Sequence, residues 1–496
     1  MAADGDHGRV AHAVDLGFED LQAALGPALT ANRPGSGTEH VVVALPSYSL
    51  GESLLSHYGP RIPALEHRYL VGHLMLHRIP TCELVFISCE PPDADLLEHY
   101  LSLVPPRLRA RVRSRFRAVT VPDSSARSIA AKLLDQPAHL RAVRRMIRGR
   151  PAFIEPWNVT QDEVEVALRL QVPVNGTAPH LWPLGFKSAG RRILTAAGVP
   201  VPPGREDVRD VHGVVAALAA VRAVDPSTEG VVVKLDDSGA GEGNSVIDLR
   251  SAGAAPLDAT VRAWARRQPA SYLRMLSQGG VVEQLVTGRV VTSPSVQVEV
   301  RPGGEVVVLS THEQVLSGHV YTGCRFPALP AYAAELGRHG RAVGLHLAGH
   351  GVVGRFSVDF MAVETRPGAW RMLGVEINLR KGGTTHPFTV LQNLAPGRYD
   401  EWRGCWVTTG GSEQRSYVAT DNLVDPCWLG IPPAAVIRAV DRAGVTFDHR
   451  RGTGVVLHML ACLAIDGRFG LTAIGRTLEQ ATELYDAAAA AVYRLV

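Results

Sequence analysis

The sequence has no closely spaced pair of cysteines and no long apolar run, and each absence argues against a class of protein. Its six cysteines lie far apart without a C-x-x-C pair, which argues against a zinc site and a disulfide framework and predicts reduced thiols. No stretch approaches the roughly 18 apolar residues that a membrane helix needs, and the N-terminus lacks an apolar signal core. We therefore expect a cytoplasmic protein without a membrane partner.

The net charge is also small. A formal charge of +3 over 496 residues gives no electrostatic reason to expect a nucleic-acid partner. Arginines at alternate positions from 107 to 117 form one dense basic run, but no set of aromatic residues for base stacking is interleaved with them, since Phe116 stands alone. A solvated surface explains this run more simply, so we expect small-molecule partners and no nucleic acid.

Only four of the 51 basic residues are lysines, at positions 132, 187, 234 and 381. An ammonium group meets a phosphate as a point charge, whereas a guanidinium group is a planar fork, so the two are not interchangeable. Each lysine in this arginine-rich chain is therefore a candidate functional position. Chance retention is the alternative for any one of them.

The first third of the chain alternates short apolar runs with amphipathic segments, which predicts a parallel α/β sheet. The expected strands and helices are strands 41–46, 83–88, 118–121 and 152–155 and helices 64–78, 93–104 and 139–148. Thr160 and Glu163 form a capping box that starts another helix, which runs to about Leu170. Residues 1–37 have the composition of a linker and predict a flexible tail.

Beyond about residue 180 strands dominate, which predicts an antiparallel α+β region. Helices are expected at 186–197, 210–222 and 257–276, and an apolar run from Gly454 to Ile465 predicts a late strand before a final helix. The expected domains are a flexible tail (1–37), a parallel α/β domain (38–178), a lobe with a glycine-rich loop (179–282), a second lobe (283–400) and a C-terminal closing segment (401–496).

Residues 230–249 predict a strand, a glycine-rich loop and a second strand, with Lys234 at the end of the first strand. Glycines let successive backbone N–H groups converge on phosphate oxygens, and the ammonium group adds a charge beside them. No helix and no Gly-Lys-Ser/Thr sequence follows, so neither a P-loop nor a dinucleotide fingerprint fits. The segment predicts a phosphate-binding flap, with a plain hairpin as the alternative.

Residues 354–379 predict a hairpin that carries two facing acids. Strand alternation puts Arg355, Ser357 and Asp359 on one face of the first strand and Glu376 and Asn378 on one face of the second. A Pro-Gly turn midway between the strands predicts that Asp359 lies opposite Glu376. Facing carboxylates repel each other, so a divalent cation would resolve the conflict; a solvated face that tolerates two acids is the alternative.

Four motifs in chain order resemble the ATP-grasp superfamily. They are Gly185 to Pro200 with Lys187, the Lys234 strand and its loop, Val281 to Leu285, and Gly354 to Arg380. The resemblance implies a multidomain fold of the α/β and α+β classes, in which an ATP-grasp fold follows an N-terminal parallel α/β pre-ATP-grasp domain.

The resemblance also implies a role for each matched residue, with ATP and Mg²⁺ as the cofactors. The implied nucleotide contacts are Lys187, Lys234, Ser238, Gly239, Gly241, Gly243, Asn244, Glu283, Gln284 and Leu285. The implied Mg²⁺ ligands are Asp359, Glu376 and Asn378, and the candidate catalytic residues are Arg380, Lys234 and Arg355. Two positions depart from the pattern, because Glu242 places an acid in the flap and Val290 stands where a ribose-binding glutamate is usual.

Residues 40–496 resemble more narrowly the pre-ATP-grasp peptide ligases related to the pheganomycin-forming ligase. The segments that carry this likeness include Leu65 to Leu70, Ser238 to Asn244, Thr311 to Gln314 and Thr453 to His458. Such enzymes join a carboxylate, often of a nonproteinogenic amino acid, to the amine of an amino acid or peptide in natural-product biosynthesis.

The implied reaction forms ADP and phosphate, through attack of the carboxylate on the γ-phosphate and then of the amine on the acyl phosphate. The implied partners are a small-molecule carboxylate and an amino acid or peptide amine, with a homodimer as the candidate assembly. Four histidines are candidates for steering the amine, namely His346, His350, His386 and His458. The alternatives are a catalytically inactive ATP-binding regulatory or partner protein and an ATP-grasp carboxylase.

Overall fold

Three β-sheets organise the chain. The computed structural model describes residues 17–49, 59–238, 243–250, 256–318, 320–411 and 413–496. Across these ranges we find no helix long and apolar enough to cross a membrane. The six cysteines are free thiols, and five of them are buried.

The first sheet is parallel, with strand order β3-β2-β1-β4. Its strands are β1 (His40–Leu45), β2 (Cys82–Ser88), β3 (Phe116–Thr120) and β4 (Ala152–Pro156). Its helices are α1 (Leu25–Ala31), α2 (Ile62–His67), α3 (Ala94–Ser102), α4 (Pro106–Arg113), α5 (Ile129–Leu134), α6 (Pro137–Ile147) and α7 (Gln161–Leu170), with a 3-10 helix at Arg68–His77. The predicted parallel α/β region is confirmed, and the capping box of Thr160 and Glu163 is present.

The prediction of a flexible tail over residues 1–37 is wrong for the part that the structure describes. Helix α1 buries Leu25, Ala28 and Ala31, which follow one another at a spacing of three residues. The Gln22 side chain donates to Val174 O at 3.0 Å and accepts from Val174 N at 2.7 Å. A linker-like composition concealed this stripe, because two of its three buried residues are alanines.

The second sheet is antiparallel, with strand order β5-β8-β6-β7. Its strands are β5 (Gly204–Arg205), β6 (Gly230–Leu235), β7 (Asn244–Asp248) and β8 (Gly280–Gln284). The helices in this region are α8 (Lys187–Ala196), α9 (Val211–Val224), α10 (Leu257–Arg267) and α11 (Ala270–Leu276). The single helix predicted over 257–276 is two helices, because Pro269 has no N–H to donate and lies at the N-cap of α11.

The third sheet has eleven strands in the described residues, and its main path runs β14-β13-β10-β11-β12-β17-β16-β15. Its strands are β9 (Val291–Thr292), β10 (Pro294–Val300), β11 (Val306–Ser317), β12 (Val320–Phe326), β13 (Gly354–Arg366), β14 (Ala369–Asn378), β15 (Gly397–Asp400), β16 (Cys405–Thr408), β17 (Gln414–Val424), β18 (Gly454–His458) and β19 (Arg468–Gly475). The helices are α12 (Ala333–Gly349), α13 (Thr385–Leu394), α14 (Pro433–Arg442), α15 (Leu463–Asp466) and α16 (Leu478–Tyr493). Residues beyond 400 extend this sheet, because β17 pairs with β12 and β19.

The strand predicted from Gly454 to Ile465 is wrong in its second half. Strand β18 ends at His458, Met459 adopts a left-handed conformation with φ of 54°, and the chain continues as a 3-10 turn and helix α15. A short buried apolar run does not distinguish a strand from a buried helix by its period.

One apolar cluster joins the first sheet to the C-terminal part of the third. It contains Leu84 and Phe86 of β2 together with Phe388 of α13, Trp428 and Leu471. The first domain is therefore packed directly against helix α13, which follows the β13–β14 hairpin.

Candidate active site

The β13–β14 hairpin brings the two predicted acids face to face. Asp359 pairs with Glu376 and Ser357 with Asn378, as the Pro-Gly turn predicted. The pairing of the two strands shifts between Asp359 and Phe360 and shifts again between Glu364 and Arg366. These two shifts cancel. The predicted register is therefore confirmed at the acids, although not along the whole hairpin.

Asp359 is surrounded by amides and by a second acid. It accepts hydrogen bonds from Gln314 Nε2 and Asn378 Nδ2, each at 3.2 Å. Burial, followed by repulsion from Glu376, raises the pKa of Asp359 to about 6 even though Arg380 opposes the shift. The negative charge of this carboxyl is poorly compensated, which favours the approach of a cation.

Glu376 is held by a lysine. Lys187 Nζ donates to Glu376 Oε1 at 2.6 Å and to the backbone oxygen of Ser238 at 3.0 Å. Burial acts to raise the pKa of Glu376, but the Lys187 ammonium, together with the charges of Lys234 and Arg380, keeps this pKa below its usual value. Lys187 thus connects the acidic face of the hairpin to the first residues of the glycine-rich loop.

Lys234 and Glu283 form a buried ion pair between the neighbouring strands β6 and β8. Arg191 of α8 also contacts this acid, with its Nη1 3.3 Å from Glu283 Oε2. Glu283 therefore holds two cations on the face of the second sheet. We did not predict Arg191, which lies one helical turn after Lys187 in α8.

The base of the glycine-rich loop is closely packed. Lys234 pairs with Asn244 across β6 and β7, and a Cβ added at Gly243 would overlap the Ser238 side chain. Ser238 Oγ donates to Leu235 O at 2.9 Å, which fixes the turn out of β6. Two predicted phosphate-binding residues, Gly239 and Gly241, lie outside the described residues.

The segment from Glu283 to Leu285, predicted to contact the nucleotide, leaves β8 beside β6. Gln284 Nε2 donates to Asp225 Oδ2 at 2.6 Å, and Leu285 N donates to Gly230 O at 2.9 Å. These contacts fix the chain where it passes from the second sheet to the third.

Arg380 lies over the ring of Trp157, with its guanidinium carbon 4.4 Å from the ring centroid. Its positive charge lowers the pKa of both Asp359 and Glu376, although other groups act more strongly on each. Trp157 follows β4, so this contact joins the first domain to the acidic face. No sequence pattern pointed to Trp157, because only the packing of two domains brings it here.

Arg355 lies apart from the two acids. It is four residues before Asp359 on the same face of β13, which corresponds to about 13 Å along a strand. Its Nε is 3.2 Å from Glu299 Oε1 on the neighbouring strand β10. The structure therefore places this predicted catalytic residue beside a cavity rather than next to the acids.

That cavity has a volume of about 480 Å³ and lies between the first domain and the third sheet. Trp157 and Arg355 line one part of it, and helix α13 lines another through Thr385, His386 and Gln392. Lys381, the fourth lysine, also lines the cavity. The cavity therefore adjoins Trp157, on which Arg380 lies.

The four candidate histidines fall into two pairs. His386 lines the cavity, and its ring centroid is 4.2 Å from that of His458, which contacts Asp421 Oδ1 through Nε2 at 2.8 Å. The rings of His346 and His350, at the end of α12, are tilted with their centroids 5.1 Å apart, and neither residue belongs to the described lining of the cavity. Of these four histidines, His386 is therefore the one that belongs to the described lining of the cavity.

Gln314 is another site residue that we did not predict. Gln314 lies on β11 and Asp359 on β13, and the contact between them crosses the intervening strand β10. The two residues are 45 positions apart in the chain and no short turn connects their strands. Sequence patterns therefore do not predict that they are neighbours.

The assembled site can bind a hard cation and phosphate groups. The two facing carboxylates and the Asn378 amide supply oxygen ligands of the kind that Mg²⁺ accepts. In the described residues no group of three or more His, Cys, Asp or Glu side chains forms a metal cage. Lys187 and Lys234 supply positive charge next to the loop whose ends are Ser238 and Gly243.

Two family models match parts of the chain. The one described as IQCH-like, ATP-grasp matches residues 262–380 and therefore contains the acidic hairpin. The one described as PGM1 C-terminal domain matches residues 435–488.

Two relatives extend this likeness. The L-propargylglycine--L-glutamate ligase of Streptantibioticus cattleyicolor is 32% identical over 419 residues, which cover 82% of this chain and 84% of that protein. IQ motif-containing protein H of Danio rerio is 24% identical over 347 residues, which cover 59% of this chain and 33% of that protein.

Solved structures share the fold. A biotin carboxylase from Campylobacter jejuni, in complex with β-γ-ATP, has a TM-score of 0.56 and 14% identity, covering 91% of this chain and 90% of its own. The N5-carboxyaminoimidazole ribonucleotide synthetase of Thermus thermophilus has a TM-score of 0.52 and 16% identity, with 92% and 98% covered. At these identities the likeness shows the fold alone.

Proposed function

The chain belongs to the ATP-grasp superfamily and, within it, to the peptide ligases, and on that premise we propose that it joins the carboxylate of one amino acid to the amine of a second amino acid or of a peptide. ATP would be consumed to ADP and phosphate. We place the reaction in natural-product biosynthesis, because the relative that matches over 419 residues is named as a ligase of propargylglycine, a nonproteinogenic amino acid.

One structural observation carries the proposal. Asp359 and Glu376 face each other beside Lys187, which also reaches the first residues of the glycine-rich loop. This arrangement gathers a cation site and a phosphate site in one place. It supports a phosphoryl-transfer enzyme over an ATP-binding protein without catalysis, since a binding role alone does not require two facing acids.

Mg²⁺ fits the acidic face. Asp359, Glu376 and Asn378 would hold it, since Mg²⁺ in proteins is usually bound by one or two carboxylates and takes its remaining ligands from phosphates and water. The bound ion would neutralise phosphate charge. Burial and the facing Glu376 raise the pKa of Asp359, so a cation bound there would relieve an unfavourable charge.

The residues of the chain then orient and neutralise the reactants. Lys187 and Lys234 would meet the phosphates as point charges, and Arg380 would neutralise charge on the transferred phosphoryl group. The substrate carboxylate oxygen bonds to the γ-phosphorus as the bond to ADP breaks. The amine nitrogen then bonds to the acyl carbon as the C–O bond to phosphate breaks, and the amine proton leaves with the phosphate.

The products test this proposal. Turnover with a mixture of amino acids should release ADP and orthophosphate in equal amounts, and added hydroxylamine should trap the activated acid as a hydroxamate that mass spectrometry identifies. Asp359→Asn should abolish both signals, whereas Asp258→Asn, on the exposed surface of α10, should leave them unchanged. Release of AMP and pyrophosphate would overturn the acyl-phosphate route.

A further inference from the structure

The cavity beside the acidic face carries more positive than negative charge. Six cationic side chains line it, namely Arg33, Arg68, Arg78, Arg301, Arg355 and Lys381, and three acids line it, namely Glu155, Glu299 and Glu305. Each acid already has a cation: Glu155 pairs with Lys381 at 2.7 Å, Glu299 with Arg355 at 3.2 Å and Glu305 with Arg301 at 3.0 Å. Arg68 pairs with Asp421, which leaves Arg33, an exposed residue, and Arg78.

Arg78 is a half-buried guanidinium that donates to a backbone oxygen. Its Nη1 donates to Gln392 O in the last turn of α13, and none of the described carboxylates lies within ion-pair distance of it. Burial lowers the pKa of this guanidinium. The apolar side chains of Leu29, Met75 and Ile79 line the same cavity. A guanidinium in such surroundings is stabilised by an anion, and its fork matches a carboxylate.

The first turn of the same helix presents a different group. His386 is 6% exposed, lines the cavity, and has no hydrogen-bond partner for either ring nitrogen within the described structure. Burial, with help from His458 and Arg68, lowers the pKa of His386 well below 6.5, so the ring is neutral. One nitrogen of a neutral imidazole accepts a hydrogen bond from an N–H group.

The helix fixes the distance between these two groups. His386 and Gln392, the residue that Arg78 contacts, are six residues apart, which is about 9 Å along an α-helix. An extended dipeptide spans about 7 Å, and side chains at both ends reach inward. The cavity volume of about 480 Å³ lies within the roughly 300–1,000 Å³ of typical ligand sites.

We propose that this cavity selects an anionic amine substrate of about dipeptide length. Its amine donates to His386, and its carboxylate binds Arg78, which makes Arg78 a specificity-determining residue. This inference rests on the proposed ligase function, because it assigns the amine substrate of that reaction. Trp157, on which Arg380 lies, also lines this cavity, so a substrate bound here would lie beside the residue assigned to the phosphoryl group.

A binding experiment without turnover tests the assignment. L-alanyl-L-alanine and its C-terminal amide are titrated by calorimetry into protein saturated with Mg²⁺ and a non-hydrolysable ATP analogue. We expect the free acid to bind at least tenfold more tightly than the amide, and Arg78→Gln to reduce this ratio to less than threefold by weakening the acid alone. Equal affinities in the unaltered protein, or no binding of either dipeptide, would overturn the assignment.

Matched variants separate specificity from folding. Arg109→Gln removes an arginine that likewise donates to backbone oxygens at the end of a helix, Ser102 O and Val104 O, but lies outside the cavity, so the ratio should not change. Arg78→Lys keeps the charge without the fork and should restore part of the preference. An unchanged ratio in a folded Arg78→Gln protein would also contradict the proposal.

The two proposals fail in different ways. If ADP release and hydroxamate trapping occur but the acid is not preferred over the amide, the cavity assignment is wrong and the ligase function stands. If no acid and amine pair releases ADP, the proposed function itself is wrong.

Discussion

Asp359 and Glu376 lie directly opposite each other on β13 and β14, yet their pKa values move in opposite directions. The difference comes from Lys187, whose ammonium lies 2.6 Å from Glu376 and leaves Asp359 with amide partners. The repulsion between the acids is therefore only half resolved by the protein itself. This asymmetry makes Asp359 the carboxylate that gains most from a bound cation.

The first prediction concerns Glu376→Gln in the metal-free protein. Breaking a fully buried ion pair costs about 3–5 kcal/mol, but Glu376 is 27% exposed, so we expect a loss of about 2 kcal/mol in the free energy of unfolding. The sequence, which shows only two facing acids, predicts no such loss. Chemical denaturation without Mg²⁺ or ATP measures the change.

A surface ion pair provides the control for this variant. Glu165→Gln removes the acid of an exposed pair with Arg169 on α7, which should cost less than about 1 kcal/mol. If Glu376→Gln is as stable as this control, the contact between Lys187 and Glu376 does not contribute to the fold.

The second prediction concerns Lys234→Met. Because Arg191 continues to pair with Glu283, the fold should be retained, while kcat/KM for ADP formation falls on the order of a hundredfold through the loss of a charge beside the phosphates. Arg250→Met, at an exposed site just after β7, should leave the rate unchanged. A rate for Lys234→Met equal to that of the unaltered protein would show that the loop is an ordinary hairpin.

The sequence predicted those parts of the structure that depend on local patterning. The parallel sheet, the capping box at Thr160 and the pairing of Asp359 with Glu376 all follow from periodicity, caps and a turn. Even so, the pairing of the acids was correct because two register shifts cancel, which a turn alone does not reveal.

The contacts that the sequence did not reveal are those made between distant segments. Trp157 meets Arg380, and Gln314 meets Asp359, across domains or across strands that no short turn connects. For the same reason Arg355, which alternation placed on the acidic face, contacts Glu299 beside the cavity. Strand alternation fixes the face of a residue, but the position along the face depends on neighbouring strands.

The third prediction concerns pH. Burial raises the pKa of Glu66 from 4.5 to about 7, although the backbone N–H of Cys89 donates to it at 2.7 Å. An acid whose folded pKa is raised stabilises the fold below its unfolded pKa, and this contribution is lost as the pH rises through the folded pKa. Between pH 4.5 and 7 the free energy of unfolding should therefore fall, by up to about 3 kcal/mol from this group.

Glu66→Gln tests the assignment, because it keeps the shape and the acceptor oxygen and removes the titration. Urea denaturation of both proteins between pH 5 and 8 should show a widening advantage for the variant as the pH rises. Glu98→Gln, on the exposed face of α3, should follow the unaltered protein. Parallel profiles for Glu66→Gln and the unaltered protein would mean that Glu66 is ionised throughout.

The last prediction tests the base of the phosphate-binding loop through Gly243→Ala. The new methyl group would overlap Ser238 Oγ and Cβ, so the two ends of the loop must separate. Because Lys187 donates to the backbone oxygen of Ser238, this separation should also disturb the lysine that contacts Glu376. We expect ATP affinity to fall about tenfold, measured by equilibrium binding, with a smaller change in thermal stability.

A second substitution shows whether the overlap is the cause. Ser238→Gly removes the two atoms that the new methyl group would overlap most and leaves Leu235 Cβ, at 3.2 Å, as the next nearest, so the double variant Ser238→Gly, Gly243→Ala should bind ATP more tightly than Gly243→Ala alone. Gly349→Ala, at the end of α12, is the control, because an added Cβ there has no neighbour within 4 Å among the described residues and should not change ATP binding. If Gly243→Ala binds ATP as well as this control does, the loop tolerates separation of its ends, and its close packing in the structure has no part in holding the phosphates.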